Sequence, residues 1–138
     1  MASTNRKNLG NWGEQLACEE YLRRGYVLVA RNVYNNKGKQ MGEIDLIMRI
    51  DDELVFVEVK TRRSNKFGTA AEAVTKTKQH KIIRTISWFC RRFPQFNKLN
   101  QRIDVCIIEP KTAFEFGGDL DKSAVNVIII PDAVTLDY

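Results

Sequence analysis

The chain has 138 residues, 43% hydrophobic and 28% charged, the balance of an ordinary globular protein and enough for one domain spanning 1–138. Lys and Arg number 22 against 17 Asp and Glu, a net charge of +5 that suits a polyanionic partner. Three cysteines without CxxC spacing and one histidine exclude a zinc site, no apolar run reaches the ~20 residues of a membrane helix, and a reduced cytoplasmic protein is expected.

After a polar start, the pattern from Leu9 to Arg24 is helical. Trp12, Leu16, Ala17 and Tyr21 form one apolar stripe, and Gly25 supplies a C-terminal stop. Glu14 sits beside that stripe, whereas Glu19 and Glu20 read as solvated charges. Tyr26 to Tyr34 reads as a strand and residues 35–39 as a basic turn. The stretch 42–60, GEIDLIMRIDDELVFVEVK, reads as two strands joined at Asp51-Asp52. Ile44, Leu46, Met48 and Ile50 share one face with Val55, Val57 and Val59; Glu43, Asp45 and Ile47 share the other with Phe56, Glu58 and Lys60. A two-residue turn then sets Ile50 opposite Glu53, Asp45 opposite Glu58 and Glu43 opposite Lys60.

Directly opposed side chains hold their Cβ atoms ~4.5–5.5 Å apart, and like charges so placed repel. A carboxylate pair forced together by folding calls for a cation or a shared proton. Asp45 and Glu58, with the Val59 carbonyl, offer the hard oxygen ligands that magnesium (or manganese) prefers. Lys60 projects to the same face as Glu58 and can reach an anion held there. A solvated rim of Glu and Lys is the plainer reading of such a strand end, but the apolar run before it and the acidic partner across the turn argue against it. Gly42 allows close backbone approach ahead of the acidic strand.

Residues 61–68 form a basic loop at the ionic end of the second strand. Arg62, Arg63 and Lys66 there are placed to grip phosphates, unless the loop is simply solvated. A helix is predicted from near Ala70 or Thr75 to Arg92, with Ile82, Ile86, Phe89 and Cys90 on its buried stripe. Lys78 falls on that stripe one turn before Ile82, which directs it into the cleft near the strand ends; Gln79 is expected to face the cleft too. Lys76 and Lys81 are expected to face phosphates or solvent, and His80 solvent. Arg102–Glu109 and Ala124–Ile130 are predicted strands, the second apolar enough for an interior position, with a loose hairpin connection at residues 114–118.

An Asp, a strand bearing Glu-x-Lys and a preceding helix with an acidic residue resemble the PD-(D/E)XK nuclease superfamily. More closely, GEIDLI followed by FVEVKTR and FGTA resembles the YraN family, small bacterial proteins similar to archaeal Holliday junction resolvases. The resemblance runs from Asn11-Trp12-Gly13-Glu14 to Arg102-Ile103-Asp104, nearly the whole chain. It implies an α/β, restriction-endonuclease-like fold: a mixed central sheet flanked by helices, in the order α-β-β-β-α-β-β. It also implies magnesium- or manganese-dependent hydrolysis of DNA, branched or structured DNA included. In that scheme Glu14 joins Asp45 and Glu58 at the metal and Lys60 positions the attacking water or neutralises developing charge. Nucleic acid would be held by Arg62, Arg63, Lys66, Lys78 and Lys81. Asp104 matches an acidic position of the family without an assigned role. Two other classes stay open: a nucleic-acid-binding module that cleaves poorly, and an adaptor with a vestigial acidic pocket. Monomer and homodimer are equally open.

Overall fold

The computed structural model describes residues 2–35, 42–62, 74–111 and 125–134. Within them the order is α1 (Ala2–Arg23), β1 (Val27–Asn35), β2 (Gly42–Ile50), β3 (Glu53–Thr61), α2 (Lys76–Arg92), β4 (Asn100–Pro110) and β5 (Val125–Val134), with a 3-10 turn at Pro94–Phe96. This is the expected α/β order, and the five strands form one mixed sheet in sequence order. β3 and β4 are parallel and every other neighbouring pair is antiparallel. The one parallel pair requires a crossover, and α2 is that crossover. Among the described residues no helix is long and apolar enough to cross a membrane.

The helices cover opposite faces of the sheet. Leu16, Ala17, Cys18 and Tyr21 of α1 pack on Leu46, Met48, Val55 and Val57. Ile82, Ile86, Phe89 and Cys90 of α2 pack on Ile47, Leu54, Phe56 and Ile103, and Phe89 meets Phe56 edge-on with ring centroids 6.1 Å apart. The alternation of β2 and β3 thus feeds two cores, one per layer. All three cysteines are buried and unbridged.

Gly25 ends α1 as its position suggested. At φ +94° it turns the chain so that its N–H reaches the Leu22 carbonyl at 3.0 Å while the Tyr26 N–H reaches that of Tyr21 at 3.1 Å. The hairpin keeps the expected register from Ile50↔Glu53 to Leu46↔Val57, and its ladder ends there. Asp45 and Glu58 therefore lie just past the last paired residues, where the strands part. Alternation also breaks at this point, because Ile44 packs in the α2-side cluster and Leu46 in the α1-side cluster. On the other neighbour of β2, the pairs Arg31↔Leu46 and Val33↔Ile44 bracket Asn32, whose φ is +51°. Asn is among the few residues that visit this left-handed region readily.

One expectation is overturned. The apolar strand read as interior, β5, is an edge strand beside β4, with Ile128 38% exposed. Apolar content measures how much surface a strand can bury, and an edge strand covered on one face can be as apolar as a central one. The expected hairpin connection at residues 114–118 lies outside the described residues.

Asp104 acquires a structural role. It is fully buried on β4 and accepts from the Tyr21 hydroxyl at 2.8 Å, Arg102 Nε at 3.0 Å and the Asp132 N–H at 3.0 Å. Arg102 also donates to the Tyr26 hydroxyl at 2.6 Å and pairs with Glu53. Asp104 coincides with the register shift between β4 and β5, and Asp132 has φ +52°. One buried carboxylate thus ties the end of α1, the start of β1 and a bulge in β5 together. Removing a partner leaves its charge under-satisfied, so Tyr21→Phe should lose about 1–3 kcal/mol and Asp104→Ala about 3–5 kcal/mol in urea unfolding. An Asp104→Ala loss below about 1 kcal/mol would contradict this anchoring role.

Candidate metal centre

Asp45 stands at the fork between β2 and β3, 9% exposed, and its Oδ2 accepts the Val59 N–H at 2.8 Å. A side chain here satisfies a backbone donor at the end of the ladder, and the strands are free to separate. Two further carboxylates approach it. Glu14 comes from α1 and Glu43 from β2, and ligand oxygens of Glu14, Glu43 and Asp45 all lie within 4.8 Å of one another. With its amide nitrogen turned toward them, Asn32 donates to Glu14 Oε2 at 3.1 Å and Glu43 Oε1 at 3.2 Å. Glu58, 5% exposed, faces the same cleft and forms an ion pair with Lys78 of α2.

Two glycines bring the helices close enough for this. A Cβ on Gly13 would lie 2.0 Å from Thr61 Oγ1, so α1 presses against the end of β3 and sets Glu14, the next residue, at the fork. On Gly42 a Cβ would lie 2.6 Å from the Lys81 carbonyl oxygen, so α2 rests directly on the strand that carries Glu43 and Asp45. The first turn of α2 is fixed by Thr75, whose hydroxyl accepts the Lys78 N–H at 3.2 Å. The result is an open cleft of about 470 Å³ with Glu43, Asp45 and Glu58 on one side and Lys78 and Lys81 on the other.

The electrostatics follow from the crowding. Burial raises the Asp45 pKa above the ordinary carboxylate range, and Glu58, Glu14 and Glu43 raise it further against the Val59 N–H. Burial likewise raises that of Glu58, although Lys78 opposes the shift. Glu14 is raised by burial and then by Glu43. Hard oxygen donors drawn together, with their charged forms disfavoured, match the preference of magnesium, manganese or calcium. Among the described residues, Glu14, Glu43 and Asp45 form a group that could hold such an ion, with Glu58 alongside.

Other expected residues stand as follows. Val59 lines the cleft, and its N–H rather than its carbonyl meets Asp45. Lys60 is exposed on β3 and is not part of the cleft wall. Lys78 and Lys81 do line it. Gln79 turns away, donating to the Val74 carbonyl at 3.0 Å, because the amide is better satisfied against the backbone at the helix start. Arg62 is drawn toward β4, 3.9 Å from Glu109 with its side chain 14% exposed, so it is shared with the protein's own carboxylate. Arg63 and Lys66 lie outside the described residues.

Glu43 and Asn32 were missed. The hairpin register, carried past the point where the strands part, pairs Glu43 with Lys60, but the ladder ends at Leu46↔Val57. The usable signal was its two-residue spacing from Asp45. For Asn32 the signal was an amide side chain in the middle of a strand, where Asn is disfavoured.

The raised carboxylates set a pH dependence. The unfolded chain loses these protons near pH ~4, whereas the fold holds them to higher pH. Their contribution to stability is therefore full below pH ~4 and is lost as pH rises toward and past neutrality. Thermal melts in chelator should show a lower melting temperature at pH ~8 than at pH ~5, with a shallower fall for Asp45→Asn, which keeps the acceptor for Val59. A parent that melts higher at the alkaline end would refute the crowding.

Residues 13–108 match the Uncharacterised protein family UPF0102. A UPF0102 protein of Acinetobacter baumannii (strain AYE) is 38% identical over 133 residues, covering 95% of this chain and 97% of that one. Its counterpart in Acinetobacter baylyi is 37% identical over 131 residues, 94% and 91% of the two chains. One from Caldicellulosiruptor saccharolyticus is 43% identical over 88 residues, 64% and 71% of the two. The likeness spans the fork, both helices and four of the five strands, and the chain belongs to the UPF0102 family, which is the YraN family of endonuclease-like proteins.

Proposed function

We propose that this protein is a metal-dependent nuclease that hydrolyses phosphodiester bonds in DNA, with branched or structured DNA, as for Holliday junction resolvases, as its substrate class. The observation that carries this reading is the convergence of Glu14, Glu43, Asp45 and Glu58, from three separate elements, on a cleft with Lys78 and Lys81 opposite. Bound magnesium or manganese would supply charge stabilisation at the phosphate and acidify a water. Glu14, Glu43 and Asp45 would hold it, and the Val59 N–H fixes the orientation of Asp45. Lys78 and Lys81 are the cations that meet a phosphate entering the cleft. Lys60, exposed at the end of β3 and with a long flexible stem, is proposed to swing toward the phosphate once DNA is seated.

The decisive experiment is a cleavage assay on duplex, single-stranded, flap and four-way substrates with magnesium or manganese. Cutting should occur with either metal and fall at least a hundredfold in Asp45→Ala and Glu58→Ala. Lys60→Ala should reduce turnover while leaving metal binding by calorimetry near the parent's. Activity that survives Asp45→Ala would refute the assigned site.

A second reading, a nucleic-acid-binding module with little cleavage of its own, draws on the Lys78–Glu58 ion pair, in which the chain supplies its own cation to a site carboxylate. Tight DNA binding without cutting of any substrate would select it. Because Lys78 neutralises a buried carboxylate, Lys78→Met should lower the melting temperature in chelator and enlarge the rise that magnesium produces. Equal magnesium effects in both proteins would show that the ion pair does not compete with metal.

A further inference from the structure

α2 carries a charge distribution that the cleft does not use. Its 17 residues, KTKQHKIIRTISWFCRR, contain no acid. At 3.6 residues per turn, Arg84 and Arg91 lie opposite the buried stripe of Ile82, Thr85, Ile86, Phe89 and Cys90, with Lys81 and Arg92 on one flank and Lys76 on the other. All five of these cations are exposed. Among the described residues none of the five takes an ion-pair partner, whereas Arg23, Arg24, Arg62 and Arg102 elsewhere all do.

A run of cations is usually just a solvated face. Two features separate this one. It is continuous with the acidic cleft, because Lys78 and Lys81 line the cleft at the start of the same helix. Within α2 it also lacks the exposed aromatic rings on which single strands stack: Trp88 is half-buried against the core, and the exposed ring just past the helix end, Phe93, packs on Phe89. From Lys81 to Arg92 the helix advances roughly 16 Å, several times the roughly 3.4 Å that one strand of a duplex rises per phosphate, so the row is long enough to meet more than one phosphate.

We propose that the outer face of α2 is a phosphate-backbone track, centred on Arg84 and Arg91, that seats a double-helical arm leading out of the cleft. This rests on the nucleic-acid reading above and deepens it by specifying duplex beside the reacting strand. The contacts are to phosphates, so the track positions the arm without reading its sequence.

The test is fluorescence anisotropy of a labelled duplex in chelator, where nothing is cut, across a salt series. Arg84→Ala/Arg91→Ala should weaken binding about tenfold at low salt and reduce the slope of log affinity against log salt by about two. The same variant should keep the parent's melting temperature and magnesium binding, and Arg84→Lys/Arg91→Lys should retain most of the affinity. Arg49→Ala, an exposed cation at the far end of the hairpin, should change little. Unchanged affinity and slope in the double alanine variant would overturn the track while leaving the nuclease reading intact. An equal loss in Arg49→Ala would reduce it to net charge. Polyglutamate displacing the duplex at matched charge, through the same arginines, would overturn it in favour of an acidic protein partner. A parent that binds no duplex at low salt would overturn both proposals.

Discussion

The acidic cleft of this molecule depends on the parting of β2 and β3 at Asp45. Up to Leu46↔Val57 the strands are paired; past that point the Val59 N–H is satisfied by the Asp45 carboxylate. A backbone donor is kept satisfied while a wedge opens in the sheet. Into that wedge come Glu14 from one layer and the start of α2 from the other. Two carboxylates ~5 Å apart at an effective dielectric near 20 repel by roughly 3 kcal/mol, an upper figure because water in the open cleft screens them. The two cores, in which Leu46, Ile47, Met48, Leu54, Val55, Phe56 and Val57 of the hairpin are buried, hold the groups there against that repulsion.

A comparison of two buried aspartates shows how different such sites can be. Asp104 receives a hydroxyl, a guanidinium and a backbone N–H, and it locks α1, β4 and β5 together. Asp45 receives one backbone N–H and faces three carboxylates. Both are acidic residues on strands flanked by aliphatic neighbours, and both lie within the span that matches the family. The first is complete within the protein. The second is left among like charges that a proton or a cation would offset, an arrangement that occurs more often at functional sites than in a scaffold. Lys78 shows the same deficit from the other side, since the chain lends an ammonium to Glu58.

Charge is sorted in space as well as by residue. The basic excess of the composition does not dilute the acidic cleft but gathers in part on α2, whose first turn borders it. On the reading proposed above, such an arrangement would attract a polyanion along the helix while leaving the acidic pocket at one end open to a cation. The close packing allowed by Gly42 makes the two features neighbours, because any side chain there would push α2 off the strand.

Much of this was legible in the chain itself. The order of elements, the stripes Leu16–Ala17–Tyr21 and Ile82–Ile86–Phe89, the stop at Gly25 and the hairpin register through Leu46↔Val57 all follow from periodicity and turn chemistry, which act between near neighbours. Asp45, Glu58 and Lys78 were visible as charges at positions where a core-facing pattern does not place them. What the sequence could not determine was where β2 leaves β3, and each surprise traces to that or to another long-range choice. Glu43 and Asn32 join the site because the ladder stops at Leu46 and Asn32 turns left-handed opposite Asp45. Arg62 pairs with Glu109, β5 takes an edge, and Asp104 finds Tyr21 across 83 positions of chain. Local pattern fixes which face a residue occupies, but only the meeting of distant layers decides which charges end up within a few ångströms of each other.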